Sequence, residues 1–237
     1  MTKTIENSNV KAMILAAGRG KRLRPITDTT PKPLVELCGK PLIEYHIEKL
    51  AQAGVSQIVI NHAWLGHKLE QSLGDGSRWG VHICYSAEPE GGLETAGGII
   101  NALPHLGSEP FLLINGDVYS EVDYSSLVLR AQAMQTENLL GHLLVVPNPE
   151  HNPKGDFGLD AQQYVLPQGE FTFAGLSVLH PELFAGLQVD FIPLAPILRE
   201  AMQMQKITGQ LETALWSDIG TIERLQATES LICPHGK

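Results

Sequence analysis

The chain has 237 residues, of which 43% are hydrophobic, and its 26 acidic and 17 basic side chains give a formal net charge of −9. This length suits one large α/β domain or two small ones around a sizeable core, and the composition excludes disordered, collagen-like and coiled-coil chains. The acidic balance disfavours a nucleic-acid partner. Since no apolar run approaches the roughly 20 residues of a membrane span, a membrane protein is disfavoured as well.

The first half of the chain alternates short apolar runs with amphipathic segments. Strands are predicted at residues 11–16, 57–61, 81–86 and 111–116. Helices are predicted at residues 41–54, 64–74 and from about 95 onward. Pro41 at the start of the first helix and Gly54 past its end are typical helix boundaries. This βαβα alternation predicts a parallel sheet with helices on both faces.

The pattern is less regular after about residue 124. Helices are predicted at residues 125–135, 193–205 and 221–231, and strands at 139–146, 162–166, 171–179 and 214–220. Because no linker or repeat interrupts the chain, we expect a single domain over residues 11–237. It would consist of a nucleotide-type half at about 11–123 and a second-ligand half at about 124–232.

The three cysteines, Cys38, Cys84 and Cys233, are widely spaced and form no CxxC pair. Their odd number argues against a disulfide framework, so the sequence predicts a reducing, cytoplasmic environment. The polar N-terminal segment has no apolar signal core, and residues 1–10 are expected to form a disordered tail.

The segment MILAAGRGKRLRPITDTTPKPL, residues 13–34, reverses the acidic balance of the chain. Its positive charges are Arg19, Lys21, Arg22, Arg24 and Lys32, opposed only by Asp28. A glycine-containing turn after a strand of a parallel sheet lies where such sheets bind ligands, and its backbone N–H groups and cations suit an anion. The segment is therefore predicted to bind phosphate rather than to form a solvated basic loop.

Two common phosphate-binding motifs fail on specific residues. Leu23 stands where the third glycine of GxGxxG belongs, and the strand at residues 57–61 is followed by His62 rather than by a ribose-binding carboxylate. The P-loop pattern GxxxxGK[ST] is absent. The sequence thus disfavours both a nicotinamide-dependent oxidoreductase and a P-loop NTPase.

The pattern LAAGxGxRLxP followed by PKPL resembles the signature of the sugar-1-phosphate nucleotidyltransferases. It stands here at residues 15–25 and 31–34, and familial segments continue through GKPLIEYHIEKL, LETAGG, INGDV, FAGLSVLHP and WSDIGT. The resemblance covers residues 11–232. It implies an α/β, Rossmann-like three-layer α/β/α fold with a mixed central sheet, similar to the GT-A-like nucleotidyltransferases.

The resemblance also implies an enzyme in which a sugar-1-phosphate oxygen attacks the α-phosphorus of a nucleoside triphosphate and pyrophosphate leaves. Arg22 and Lys32 would be catalytic, with Lys32 on the α-phosphate. The implied nucleotide-binding residues are Ala16, Ala17, Gly18, Gly20, Lys21, Arg22, Lys32, Glu88, Thr95, Ala96 and Gly97. Glu88 would read the base.

Metal and sugar contacts follow from the same resemblance. Asp117 and Asp218 would hold Mg²⁺, which takes few protein carboxylates and otherwise phosphate and water oxygens. The sugar would contact Asn115, Gly155, Asp156 and Gly175. Many relatives carry an E-K-P motif whose lysine binds the sugar phosphate, and this chain lacks it, so the cation with that role is open.

The segments INHAWLG, GDGSRWG, LETAGG and WSDIGT most resemble the short bacterial uridylyltransferases that make UDP-N-acetylmuramate in peptidoglycan recycling. The implied substrates are UTP and an amino-sugar 1-phosphate, and the implied state is a monomer or small homo-oligomer. Two alternatives stay open. One is another sugar pyrophosphorylase, using glucose- or mannose-1-phosphate with UTP, dTTP or GTP. The other is a non-catalytic nucleotide-sugar sensor.

Overall fold

The computed structural model describes residues 9–233 of the chain. Its strands are β1 Ala12–Leu15, β2 Glu36–Leu37, β3 Lys40–Pro41, β4 Gln57–His62, β5 His82–Ala87, β6 Phe111–Asn115, β7 Val118–Ser120, β8 Gly141–Pro147, β9 Phe157–Leu159, β10 Val165–Leu179, β11 Ile207–Leu211 and β12 Trp216–Asp218. Its α-helices are α1 Leu42–Gln52, α2 Gly66–Leu73, α3 Glu94–Leu106, α4 Tyr124–Met134, α5 Leu194–Gln203 and α6 Ile222–Ile232. None of the helices in this described part is long and apolar enough to cross a membrane.

One eight-stranded sheet runs through both predicted halves, in the order β11-β8-β10-β6-β1-β4-β5, with β9 added on β10. Strand β1 pairs in parallel with both β4 and β6, and β4 pairs in parallel with β5. Strand β10 then pairs antiparallel with β6 and with β8. The predicted mixed central sheet is confirmed.

Helices cover both faces of this sheet because successive strand residues point to opposite sides. On β1, Ile14 belongs to the apolar cluster beneath α1, α2 and α4, whereas Met13 belongs to the cluster beneath α3 and α5. Both side chains are fully buried. Because helices pack on both faces of the sheet, the end of β1, where the basic segment begins, is held in a defined position.

The structure corrects the predicted elements in three places. Val10 is buried in the core, so the disordered tail predicted over residues 1–10 does not reach that residue; residues 1–8 lie outside the described part. The segments 162–166 and 171–179 are joined in the single strand β10, because the intervening proline and glycine are accommodated in the strand. The short strands β2, β3, β7, β9 and β11 were not predicted, because each has too little apolar pattern.

A small third cluster attaches α6 and β12 to the hairpin that follows Lys32. It includes Leu37, Tyr119, Ile219 and Leu225. Beside it, Cys38 and Cys233 form a disulfide with a Cα–Cα distance of 5.6 Å across 195 residues. The argument against a disulfide was wrong because the fold brings together cysteines that spacing alone cannot pair, and Cys84 is the cysteine left free.

Replacing Cys233 with serine is expected to lower the melting temperature of the oxidised protein. In the chain-entropy description, closing so long a loop stabilises the fold by at most about 5 kcal/mol. Thermal unfolding with and without dithiothreitol measures the effect: reduced wild type should match Cys233→Ser, and Cys84→Ser should behave as wild type. Three titratable thiols in the folded wild type, with no effect of reductant, would contradict the pairing.

Two buried histidines make stability depend on pH. His46 on α1 has Nδ1 2.8 Å from the Tyr124 hydroxyl on α4. Burial lowers the pKa of His46 to about 4 and that of His142 on β8 to about 4, from 6.5. The unfolded chain takes up these protons first, so stability is complete above pH 6.5 and is lost as the pH falls towards 4.

We expect the free energy of unfolding to fall by about 2 kcal/mol per histidine between pH 7 and pH 5, which urea titrations measure. The free energy of unfolding of His46→Gln should fall less than that of wild type between these two pH values. Substitution of the exposed His82 by glutamine is the control and should keep the full dependence. Equal unfolding free energies at the two pH values would refute the assignment.

Candidate active site

A cavity of about 570 Å³ opens at the carboxyl ends of β1, β4 and β6. Such sheet edges are where open α/β folds bind ligands. The predicted residues that line it are Ala16, Ala17, Gly18, Gly20, Lys21, Arg22, Lys32, Glu88, Thr95, Asn115 and Asp117. The fold thus brings most of the predicted nucleotide-binding residues together in one cavity.

The basic loop is held against the rest of the site at Gly20. This residue has φ 65°, in the region that favours glycine, and begins the 3₁₀ turn Lys21–Leu23. Leu23 is fully buried in the third cluster, which explains why no glycine stands there. The Thr27 hydroxyl donates to the Gly20 carbonyl at 2.8 Å. The anchored turn leaves Lys21 and Arg22 exposed at the cavity.

Lys32 and Asp117 form an ion pair at the floor of the cavity. Lys32 is 8% exposed, because the prolines on either side place its stem under the basic loop. A side-chain carbon added at Gly20 would lie 3.0 Å from Lys32 Cβ. The pair orients the lysine ammonium towards the point where β1 and β6 end.

The second acidic residue reaches the same point through strand pairing. Asp218 at the end of β12 lies opposite Val118 on β7, and the Ile219 N–H donates to the Asp117 carbonyl at 2.7 Å. Asp218 Oδ1 lies 3.1 Å from Arg224 Nη1 and 3.0 Å from His151 Nε2. These are ion-pair distances, but the Oδ1 atom has no partner at hydrogen-bond geometry.

Two hard carboxylates suit a divalent cation that is shared with phosphate oxygens. No cluster of three or more His, Cys, Asp or Glu side chains that could hold a metal exists between residues 9 and 233. The chemistry of Asp117 and Asp218 fits a divalent cation that takes its remaining ligands from phosphate and water oxygens.

Glu88 sits in a hydrogen-bond network that ties three loops together. Its Oε1 accepts from Asn61 Nδ2 at 2.6 Å, and its Oε2 accepts from the Leu93 N–H at 2.9 Å. Asn61 Oδ1 in turn accepts from the Ala16 N–H at 2.8 Å. Burial raises the pKa of Glu88. Asn61 was missed as a site residue, although its position at the end of β4 was a usable signal.

Arg19 and Trp64 form a second feature that was missed. The Arg19 guanidinium lies 3.7 Å from the centre of a Trp64 ring, and Trp64 Nε1 donates to the Thr27 carbonyl at 3.2 Å. Both residues line the cavity. Stacking fixes a cation beside the phosphate loop.

A second cavity, of about 340 Å³, adjoins the first and lies over β10. Of the predicted residues it is lined by Arg22, Asn115, Asp117, Asp156, Gly175 and Asp218. Gly175 has φ +73° within a β-bulge, and a side-chain carbon there would lie 2.8 Å from Asn115 Nδ2. A glycine is required because the bulge presses β10 against Asn115.

Asp156 is fixed by its neighbours. Its Oδ1 accepts from Asn152 Nδ2 at 3.1 Å and its Oδ2 from the Phe173 N–H at 2.9 Å. The other lining residues, which were not predicted from the sequence, are Val118, His151, Asn152, Thr172, Phe173, Trp216 and Arg224.

Three predicted residues do not line either cavity. The N–H groups of Ala96 and Gly97 donate to the Ile192 carbonyl at 3.0 and 3.2 Å, so they anchor a neighbouring loop instead. Gly155 lies beside Asp156 with φ +68° but outside the lining. Their predicted ligand contacts receive no support from this placement.

Comparison with known proteins identifies the family of the chain. The profile of the family described as "Nucleotidyl transferase" matches residues 11–166. The chain belongs to the nucleotidyl transferase family. This enzyme is 51% identical, over 94% of its own length and 98% of the other's, to the N-acetylmuramate alpha-1-phosphate uridylyltransferase of Neisseria meningitidis serogroup B strain ATCC BAA-335 / MC58. Nucleotidyltransferases of this family generally use a divalent metal ion.

More distant relatives share the architecture. The mannose-1-phosphate guanylyltransferase catalytic subunit beta of Drosophila pseudoobscura pseudoobscura is 28% identical over 92% of this chain and 61% of its own length. A Bacillus anthracis structure assigned as a glucose-1-phosphate thymidylyltransferase superposes with a TM-score of 0.81 at 21% identity, covering 96% of this nucleotidyltransferase and 98% of the other chain. A UDP-glucose pyrophosphorylase complexed with UDP-glucose gives 0.74 at 19% identity, covering 94% and 97%. These two likenesses establish the fold.

Proposed function

We propose that this nucleotidyltransferase makes UDP-N-acetylmuramate and pyrophosphate from UTP and N-acetylmuramate α-1-phosphate, with Mg²⁺ as the cofactor. The observation that carries the proposal is the pair of adjoining cavities. Arg22, Asn115 and Asp117 line both, so two phosphorylated reactants can meet at one point between them. The relative that is 51% identical carries the name of this reaction, which is the reason for choosing the base and the sugar.

The reaction joins two anions. The protein must therefore neutralise their charge and hold the reactants in line. The backbone from Gly18 to Gly20, with Lys21 and Arg22, would hold the triphosphate in the larger cavity. A sugar-phosphate oxygen would attack the α-phosphorus as the bond to pyrophosphate breaks. Lys32 would stabilise the negative charge that develops on the α-phosphate.

Asp117 and Asp218 would hold Mg²⁺, which supplies additional positive charge for the phosphates when it is bound. Asp117 already fixes the Lys32 ammonium in the larger cavity. Because one phosphoanhydride replaces another, the reaction should be readily reversible. We also propose a cytoplasmic location, because the substrates belong to cell-wall recycling. The Cys38–Cys233 disulfide removes the cysteine argument for a reducing environment, so this proposal rests on the substrates alone.

The test is a substrate panel with pyrophosphate release as the readout. UTP, dTTP and GTP are each combined with N-acetylmuramate, N-acetylglucosamine, glucose and mannose α-1-phosphates and with Mg²⁺. The highest kcat/KM is expected for UTP with N-acetylmuramate α-1-phosphate. Preference for another pair would overturn the specificity, and no release with any pair would leave the non-catalytic sensor as the better description.

A further inference from the structure

Arg224 has unused hydrogen-bonding capacity beside the smaller cavity. It lies in the first turn of α6, and only its Nη1 reaches Asp218, at 3.1 Å. Its Nε and Nη2 are buried and have no hydrogen-bond partner among residues 9–233. Its side chain is 18% exposed. Buried guanidinium N–H groups need acceptors, so this arrangement suits an incoming anion.

A second guanidinium converges on the same place. The Arg224 head lies against Gly220, where a side-chain carbon would overlap it, and the same position is 3.2 Å from Arg22 Nη2. His151 also reaches Asp218, at 3.0 Å. Two permanent cations thus meet beside Asp218, and the guanidinium N–H groups that lack acceptors suit the oxygens of a phosphate dianion.

The two arginines differ in the cavities they line. Arg22 borders both cavities, whereas Arg224 borders only the smaller one, where the sugar would lie. Lys154, the basic residue nearest in sequence to the sugar-contact motif, borders neither cavity in the described structure. Arg22 is therefore placed to contact both reactants, whereas Arg224 is placed to contact only the sugar phosphate.

We propose that Arg224 binds the phosphate of the sugar 1-phosphate and, with Arg22, replaces the lysine that is missing from this chain. The inference rests on the proposed function and adds a residue to it. The planar guanidinium can donate two parallel hydrogen bonds to phosphate oxygens, which a lysine cannot do.

The experiment measures Arg224→Met and Arg224→Lys against wild type with UTP and N-acetylmuramate α-1-phosphate. In Arg224→Met we expect the KM for the sugar phosphate to rise about 10- to 100-fold while the KM for UTP stays within about twofold, and lysine should recover part of the loss. Arg130→Met is the matched control, because Arg130 is similarly buried at 23% exposure and pairs with Glu137 away from both cavities. The control should leave both constants unchanged.

N-acetylmuramate α-1-phosphate carries a carboxylate as well as a phosphate. Comparing it with a sugar phosphate that lacks the carboxylate shows which of the two groups Arg224 binds. Calorimetric titration with N-acetylglucosamine α-1-phosphate, which has no lactyl carboxylate, should show the same loss of affinity in Arg224→Met. A loss confined to N-acetylmuramate α-1-phosphate would instead place the carboxylate at Arg224 and overturn the proposal.

The remaining outcomes distinguish this inference from the proposed function. Unchanged affinity for both sugar phosphates in Arg224→Met and Arg224→Lys, with turnover intact, would overturn the role of Arg224 and leave the function standing. If wild type binds sugar phosphates without turnover, the function fails, and the titrations still decide the role of Arg224. Arg224→Lys serves for the comparison if the methionine variant does not fold.

Discussion

Replacing Lys32 with methionine is expected to lower kcat by about 10³-fold, the loss typical when a preorganised donor to developing charge is removed. The ammonium is buried and held by Asp117 at the junction of the two cavities. Methionine keeps the apolar stem and removes only the charge, so packing should survive. Single-turnover measurements with saturating UTP and sugar 1-phosphate isolate the chemical step.

Lys206→Met is the control for a lost lysine charge. Its ammonium donates to the Asn138 carbonyl at 3.1 Å, far from the cavities, and kcat should stay at the wild-type value. Both variants should melt within a few degrees of wild type. A Lys32→Met enzyme with more than about a tenth of wild-type kcat would remove Lys32 from the mechanism.

Asp117→Asn is expected to abolish measurable turnover, again by about 10³-fold or more, while the fold stays nearly intact. The amide keeps the shape of the carboxylate but loses the charge that binds the cation and holds Lys32 in place. Asp117 is 36% exposed at its side chain, so the stability change should be small. Pyrophosphate release across a Mg²⁺ titration is the measurement.

Asp117 would both bind the cation and hold Lys32 in place. Asp218→Asn tests the cation contribution alone, because Asp218 pairs with Arg224 and His151 rather than with Lys32. If both aspartates hold the same ion, both variants need more Mg²⁺ than wild type for half-maximal activity. Asp75→Asn is the control, since the amide oxygen can still accept from the Ser77 N–H in an exposed turn. Full activity in Asp117→Asn would contradict the metal assignment.

Local chemistry in the sequence was enough to predict an anion-binding segment after β1, and the family resemblance implied the nucleotide roles of its residues. The residues between Gly18 and Lys32 follow one buried strand, and glycine, cation and proline act within a few positions of each other. The periodicity of apolar residues also predicted an α/β fold, since it sets which face of each strand and helix is buried, whereas the mixed sheet was implied by the family resemblance.

The second cavity was only partly predictable. Asp156 and Gly175 were found through the family resemblance, whereas His151, Thr172 and Arg224 carry no local signal that separates them from solvated residues. Ala96 and Gly97 were predicted as nucleotide contacts, but they do not line either cavity. Their motif was read correctly as the start of a helix, yet their N–H groups are taken by the Ile192 carbonyl.

The sequence by itself predicted the buried strands and the run of glycine, cation and proline residues that follows β1, because these features depend on neighbours along the chain. Tertiary structure alone decided which distant groups meet. The pairing of β7 with β12 brings Asp218 to Asp117, and the packing of α6 turns Arg224 onto Gly220 beside Arg22. The Cys38–Cys233 disulfide joins two cysteines that are 195 residues apart in the sequence. Such contacts arise from strand register and the burial of separate apolar faces, which no local pattern encodes.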